Sequence, residues 1–253
     1  DAQSEINQLS SIDSSNIGML RLSSYNAFEM NDIPKAKMLM EKIMNTTIEN
    51  QRTAMDYEYN GKILLKEGND SLAAENFEKS YLIDTTKTEI LQDMGSMYMK
   101  LKKYPQAVNA YERRVNNGKG LTSTDYFNLA RAYYFNKAYT HADTMFAKVI
   151  ELLPTWPNGV LWRAQTNAQL DPDSKEVKAK PYYEKYIEVA LADSANADKY
   201  KNGLVESYKY LGSYYYLIDR KTDESKSYWK KVLELVPDDK QAQQVMAGLN
   251  QKK

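Results

Sequence analysis

Few residues of this 253-residue chain have the type and spacing that chemistry requires. Histidine occurs once, at His141, and cysteine not at all. That removes thiolate nucleophiles, disulfides, iron–sulfur clusters and cysteine zinc sites together, and leaves only oxygen ligands for a metal. The acidic cluster with loop character, Asp171, Asp173 and Glu176, lacks the glycine and final glutamate of a calcium loop and reads as a solvated loop. Asn116-Asn117-Gly118-Lys119-Gly120 lacks the GxxxxGK[ST] spacing that cradles phosphate and reads as a turn. Neither GxSxG nor HExxH occurs. Asn45-Thr46-Thr47 is a formal glycosylation acceptor of a kind that chance supplies often. The lone His141, beside Ala142 at the start of an expected helix, reads as a surface residue. The expectation is no catalytic residue, no metal and no cofactor, hence no enzyme.

Composition agrees with a different kind of work. Apolar residues make up 42% of the chain and charged residues 27%, while Gly (10) and Pro (7) are too scarce for long structureless linkers. Lys plus Arg equals Asp plus Glu, 34 against 34, so there is no global field to draw in a phosphate backbone, and nucleic acid is not expected as a partner. No apolar run approaches the ~18–20 residues of a membrane span. The chain starts at Asp1 without a methionine, and a mature product or excised piece is expected.

One spacing recurs along the chain. A small residue is followed three later by an aromatic or large apolar residue, and that one nine later by Ala. An aromatic or Met comes four further on, another packing residue three beyond that, and often a Pro. The clearest copy is Ala130, Tyr133, Ala142, Phe146, Val149, Pro154. Others are Gly61, Leu64, Ala73, Phe77, Ser80; Gly95, Tyr98, Ala107, Tyr111; and Gly212, Tyr215, Ser225, Trp229, Val232, Pro237. Ala164, Ala179, Tyr183, Tyr186 is looser, with three extra residues in its turn, and Ser24, Ala27, Ala36, Met40, Ile43 is degenerate. Each copy predicts two amphipathic helices and a tight turn, the small residues letting backbones approach and the aromatics filling the space between pairs. Glu67-Gly68-Asn69-Asp70, Lys103-Tyr104-Pro105 and Asp32-Ile33-Pro34 fall where turns belong.

These residues resemble the tetratricopeptide repeat (TPR) family over nearly the whole chain. The resemblance implies an all-α fold, an α-α superhelix (TPR solenoid) of about six helix-turn-helix repeats plus a capping helix. The expected segments are 1–16, a second helix of a truncated preceding repeat; 17–50, a degenerate repeat; and 51–87, 88–122 and 123–156, three regular repeats. Segment 157–198 is expected to carry an extended second helix ending near Leu191 and then a polar loop. Segment 199–237 is the last repeat, opening with a helix from near Lys199, and 238–253 is the cap, with Val245, Met246 and Leu249 on one face. More repeats are expected upstream of residue 1.

The resemblance also implies that first helices line a concave groove that takes an extended or helical segment of another protein. Positions one after, three before and six before the small residue should face it. The expected groove residues, at those positions or four to five after the small residue, are Lys62, Lys66, Met99, Lys100, Phe127, Arg131, Tyr134, Gln165, Gln169 and Tyr216. Aromatics beside cations favour a guest with an apolar anchor and acidic character. The family's chaperone-terminus clamp is not met: its first positions hold Arg21 and Tyr25, Glu58 and Lys62, Gln92 and Ser96, or Phe127 and Arg131. Tyrosine doublets such as Tyr133-Tyr134 suit one ring in the core and one at the groove wall. The leading reading is a bacterial adaptor or assembly scaffold. A second is the helical accessory region of a larger polypeptide, and a third is self-association through terminal repeats. Segments 181–188 and 228–235 look like those of exported bacterial repeat proteins, which implies the cell envelope.

Overall fold

The structure, a computed structural model, describes residues 16–251, in which all regular structure is helical. The half-repeat expected before residue 16 lies outside the described residues. Two units divide the chain between Leu121 and Thr122. The first holds α1 (Ile17–Glu29), α2 (Ile33–Thr46), α3 (Ala54–Lys66), α4 (Asp70–Ile83), α5 (Ile90–Lys100) and α6 (Tyr104–Asn117). The second holds α7 (Ser123–Phe135), α8 (Tyr139–Leu152), α9 (Pro157–Leu170), α10 (Lys180–Ala192), α11 (Ala197–Leu217), α12 (Thr222–Leu235) and α13 (Lys240–Gln251). Within each unit a helix packs chiefly on its neighbours in sequence, and α1 also on α3. This is the one-dimensional stacking of a helical repeat solenoid.

The turn inside four of the six described pairs has one chemistry. Asn31, Gly68, Lys102 and Lys137 all take a left-handed backbone, with φ of 60°, 79°, 57° and 62°. The next residue's N–H then reaches back five positions: Asp32 to the Ala27 carbonyl, Asn69 to Leu64, Lys103 to Tyr98, Ala138 to Tyr133, each at 2.8–2.9 Å. This Schellman geometry satisfies carbonyls the first helix leaves open. Asp32 and Asn69 then cap the second helix by accepting from the Lys35 and Leu72 N–H groups.

Small residues serve the pair in two ways. Ring carbons of Phe77 and Tyr111 lie where Gly61 and Gly95 would carry a Cβ, 3.0 and 2.5 Å from that point, and the Trp229 indole does the same at Gly212, 2.6 Å. These aromatics therefore fill a notch in their own pair, not the space between pairs that the sequence pattern suggested. Tyr186 does bridge pairs, its ring against Gly203 of the following first helix. Serines bridge the two helices directly: Ser24 donates to the Ala36 carbonyl at 2.9 Å and Ser225 to the Gly212 carbonyl at 2.7 Å.

The irregular repeat differs from expectation. Its second helix, α10, has 13 residues and is no longer than the others; the length lies in α11, with 21. Asp171 is the reason the chain does not enter α10 sooner. Its buried carboxylate accepts from the Lys175, Glu176 and Lys178 N–H groups at 2.8, 2.9 and 3.3 Å, which holds 171–178 in a non-helical coil. Asp173 and Glu176 are exposed and ion-paired to lysines in the same loop, as a solvated loop requires, but Asp171 is a structural residue. The last helix, α13, packs on α12 and covers its core with Ala242 and Leu249, beside Val245 and Met246.

Candidate partner-binding site

Each unit contains a junction where the first helices of two successive repeats face one another, and the same positions meet in both. In the first unit the small residues are Ser24 on α1 and Gly61 on α3. Three before Ser24 stands Arg21, one after it Tyr25; five before Gly61 stands Asp56, two before it Tyr59. Arg21 donates from Nε and Nη2 to both Asp56 oxygens at 2.8–3.0 Å, and the Tyr25 hydroxyl donates to Oδ1 at 2.5 Å. The Thr53 N–H donates to Oδ2 at 2.8 Å in a capping box. Burial opposes ionisation of Asp56, but these donors outweigh it and hold its pKa below the usual aspartate value. Tyr59 stacks on Tyr25 with ring centroids 4.3 Å apart. The junction is internally neutral.

Its neighbour cations are also answered. Lys62 and Lys87 both donate to Glu58 at 2.7 Å, and Glu58 is kept ionised against burial by those two bonds. Lys100 pairs with Asp70 at 2.5 Å. Of the residues selected from sequence in this unit, Lys66 is exposed and Met99 half-buried.

The corresponding junction of the second unit lies between α7 and α9, with small residues Ala130 and Ala164. Phe127 stands where Arg21 stood, Arg131 where Tyr25 stood, and Trp162 where Tyr59 stood. The place of Asp56 is taken by Gly159, whose missing side chain makes room for the Trp156 ring and Val149, 3.1 and 3.2 Å from the point a Cβ would occupy. No carboxylate can come from that position. The Arg131 guanidinium lies over the Phe127 and Trp162 rings, its carbon 5.7 and 5.5 Å from their centroids, and makes no ion pair or hydrogen bond among the described residues. Its Nε is buried without an acceptor. A cation on a ring face gains about 0.5–2 kcal/mol, while a buried N–H without a partner costs about 1–3 kcal/mol. The arrangement is stable but leaves donors unused.

The rings around Arg131 form one cluster. Trp162 meets Tyr134 at 5.2 Å, Phe135 at 5.9 Å and Phe127 at 6.4 Å edge to face, and stacks on Phe146 at 5.9 Å. Phe127, Tyr134 and Trp162 are half-buried and Phe135 is exposed. Next along, Gln165 on α9 donates to both oxygens of Glu206 on α11 at 3.0 Å, and the Tyr183 hydroxyl donates to the same carboxylate at 3.0 Å. Burial, then the Glu206 charge, pushes the Tyr183 hydroxyl well above the ordinary tyrosine range. Burial raises Tyr134 as well, with Tyr139 and Glu206 adding to it.

The structure thus brings Phe127, Arg131 and Tyr134 together, ties Gln165 to Glu206, and leaves Gln169 exposed near the end of α9. Tyr216 lines a separate, mainly apolar cavity of about 320 Å³ with Leu217, Trp229, Val245 and Leu249. Sequence reasoning missed Trp162. The available signal was an aromatic two before the small residue in three repeats, at Tyr59, Trp162 and Tyr210. Among the described residues no three His, Asp or Glu side chains converge as metal ligands, and no helix is long and apolar enough to cross a membrane.

Antiparallel helix pairs, left-handed turns and small-residue notches filled by aromatics define a helix-pair repeat protein. A crystal structure of the C-terminal part of a TPR repeat-containing protein from Cytophaga hutchinsonii superposes with a TM-score of 0.72. It is 34% identical over 95% of this chain and 92% of that one, and the present chain belongs to the TPR repeat proteins. YrrB, described as a TPR protein with an unusual peptide-binding site, has a TM-score of 0.57 at 16% identity, covering 81% of this chain and 96% of its own. MamA has a TM-score of 0.54 at 17% identity, covering 68% and 96%. These two share the fold. No family model matches the chain, and no curated protein does.

Proposed function

We propose that this chain is a non-catalytic adaptor or assembly scaffold whose second unit holds a segment of another protein on its first-helix face. The single observation that carries the reading is Arg131, an aromatic-backed guanidinium with no acid against it among the described residues. The first unit neutralises its junction with Asp56, whereas an unanswered guanidinium in a ring of half-buried aromatics has the composition of an interface anchor. That YrrB is described as peptide-binding supports the same use of the fold. Affinity capture from the native host tests it: the Arg131→Ala, Tyr134→Ala double variant should lose the partner that the parent chain retains, while its thermal midpoint moves only a few degrees. Equal capture by both would overturn the reading.

A second reading, an accessory region of a larger polypeptide, is favoured by the Cytophaga structure being the C-terminal part of its protein. The complete reading frame discriminates the two. We also propose a bacterial cell-envelope location, which fractionation of the host followed by immunoblotting would check.

A further inference from the structure

Resting on the reading that a guest lies on this face, we infer that Arg131 takes one side-chain carboxylate from the interior of the guest segment, flanked by aromatic or aliphatic residues, and not a phosphorylated residue. The guanidinium is planar, its carbon 5.7 and 5.5 Å from the Phe127 and Trp162 ring centroids, and those rings restrict where its fork of donors can turn. Such a fork matches two carboxylate oxygens side by side, where a lysine ammonium offers only a point charge.

Charge count selects between anions. A phosphate carries close to two charges and is met in proteins by several cations. Two of the other cations of the neighbouring first helices, Arg163 and Lys209, are already neutralised, and Lys199 and Lys201 lie in the first two turns of α11. Arg163 donates to Asp143 at 2.9 Å while Asn167 binds the same carboxylate at 2.6 Å, and Lys209 pairs with Asp239 at 2.6 Å. Glu206 on α11, which accepts from Gln165 and Tyr183, adds charge of the wrong sign for a dianion. A single guanidinium suits a monoanion better than a dianion.

Position selects between sources. Apolar surface extends along α7 on both sides of Arg131, with Phe127 one turn before it and Tyr134 and Phe135 one turn after. A carboxylate within a segment lets residues on either side of it cover those rings, whereas a chain terminus leaves one side bare.

The test uses the full chain, labelled with ¹⁵N at arginine, and four peptides followed by arginine Nε–H resonances and by tryptophan fluorescence. They are acetyl-Gly-Phe-Glu-Phe-Gly-amide, its Gln and phosphoserine counterparts, and the Gln peptide with a free C-terminus. The Glu peptide should shift the Arg131 Nε–H signal and bind about tenfold tighter than the Gln amide, a gap of the size charge-assisted hydrogen bonds give. Arg131→Lys should shrink that gap to a few-fold. Binding of the Glu and Gln amides with equal affinity, a phosphoserine peptide that binds tighter than Glu, or a free-terminus Gln peptide that matches Glu would each overturn the inference while leaving a guest on this face. If no peptide binds and the tryptophan signal is unmoved, the reading of the face falls with it.

Discussion

The two first-helix junctions are built on one register and end in opposite electrostatic states. Between α1 and α3, Asp56 gathers Arg21, the Tyr25 hydroxyl and the Thr53 N–H, so charge and hydrogen-bonding capacity are used up inside the chain. Between α7 and α9, Phe127, Arg131, Gly159 and Trp162 stand where Arg21, Tyr25, Asp56 and Tyr59 stood, no carboxylate comes from the Asp56 position, and Arg131 rests on rings with no ion pair among the described residues. The difference teaches that in a repeat scaffold a candidate binding feature can arise from a missing partner. The cation is unremarkable by type; what marks it is the vacancy five residues before the next small position.

Four experiments would break or sharpen that contrast. The largest effect is expected from Asp56→Ala, which strands a half-buried guanidinium and a buried hydroxyl and should lower stability by about 3 kcal/mol in denaturant unfolding, against less than about 0.5 kcal/mol for Arg131→Ala. The same junction has a pH signature. Because the folded pKa of Asp56 is depressed, its contribution is fully present above the unfolded value of about 3.9 and is lost as pH falls below it; the Asp56→Ala chain should show a shallower acid limb. A parent and variant with identical acid limbs would refute the neutral-junction account.

Next in size, Gly95→Ala drives a methyl into the Tyr111 ring and should cost about 1–3 kcal/mol despite the better helix propensity of alanine. The comparison is the second unit's Ala130, where the sequence itself has a methyl and Phe146 packs without loss of burial. An unchanged melting temperature for Gly95→Ala would show the notch to be adaptable. Arg131→Ala should weaken the captured partner about tenfold, roughly 1.4 kcal/mol, while Lys62→Ala, whose cation belongs to Glu58, should leave it within twofold. Smallest, Lys137→Gly should stabilise the chain by up to about 1 kcal/mol, because glycine adopts the left-handed turn without the Cβ clash. A loss instead would mean that the Lys137 side chain contributes more than its backbone strain costs.

The pairs themselves were legible because small residue, Ala and aromatic recur at helical spacing, and packing in a solenoid depends on just such local pattern. The turns were legible at Gly68 and Pro105, but not the left-handed lysines at 102 and 137, whose residue type carries no signal. The long second helix expected before Leu191 failed because one carboxylate, Asp171, outbid helix propensity by collecting three backbone amides. The site was half legible. Phe127, Arg131 and Tyr134 followed from register, whereas Trp162 and Glu206 reach it from the next two first helices, and Lys62 and Lys100 looked free until their acids were seen beside them. Pairing across repeats depends on which position meets which, and one strand of text does not display that.

Packing of each helix on the next in sequence has a kinetic consequence. Few contacts join residues distant along the chain, so little loop entropy must be surrendered before the first stabilising contacts form. Any well-packed pair can therefore serve as the seed from which ordering spreads outward in either direction. The tightly fitted pairs, Gly95 with Tyr111 and Gly212 with Trp229, are the natural starting points for refolding within their units.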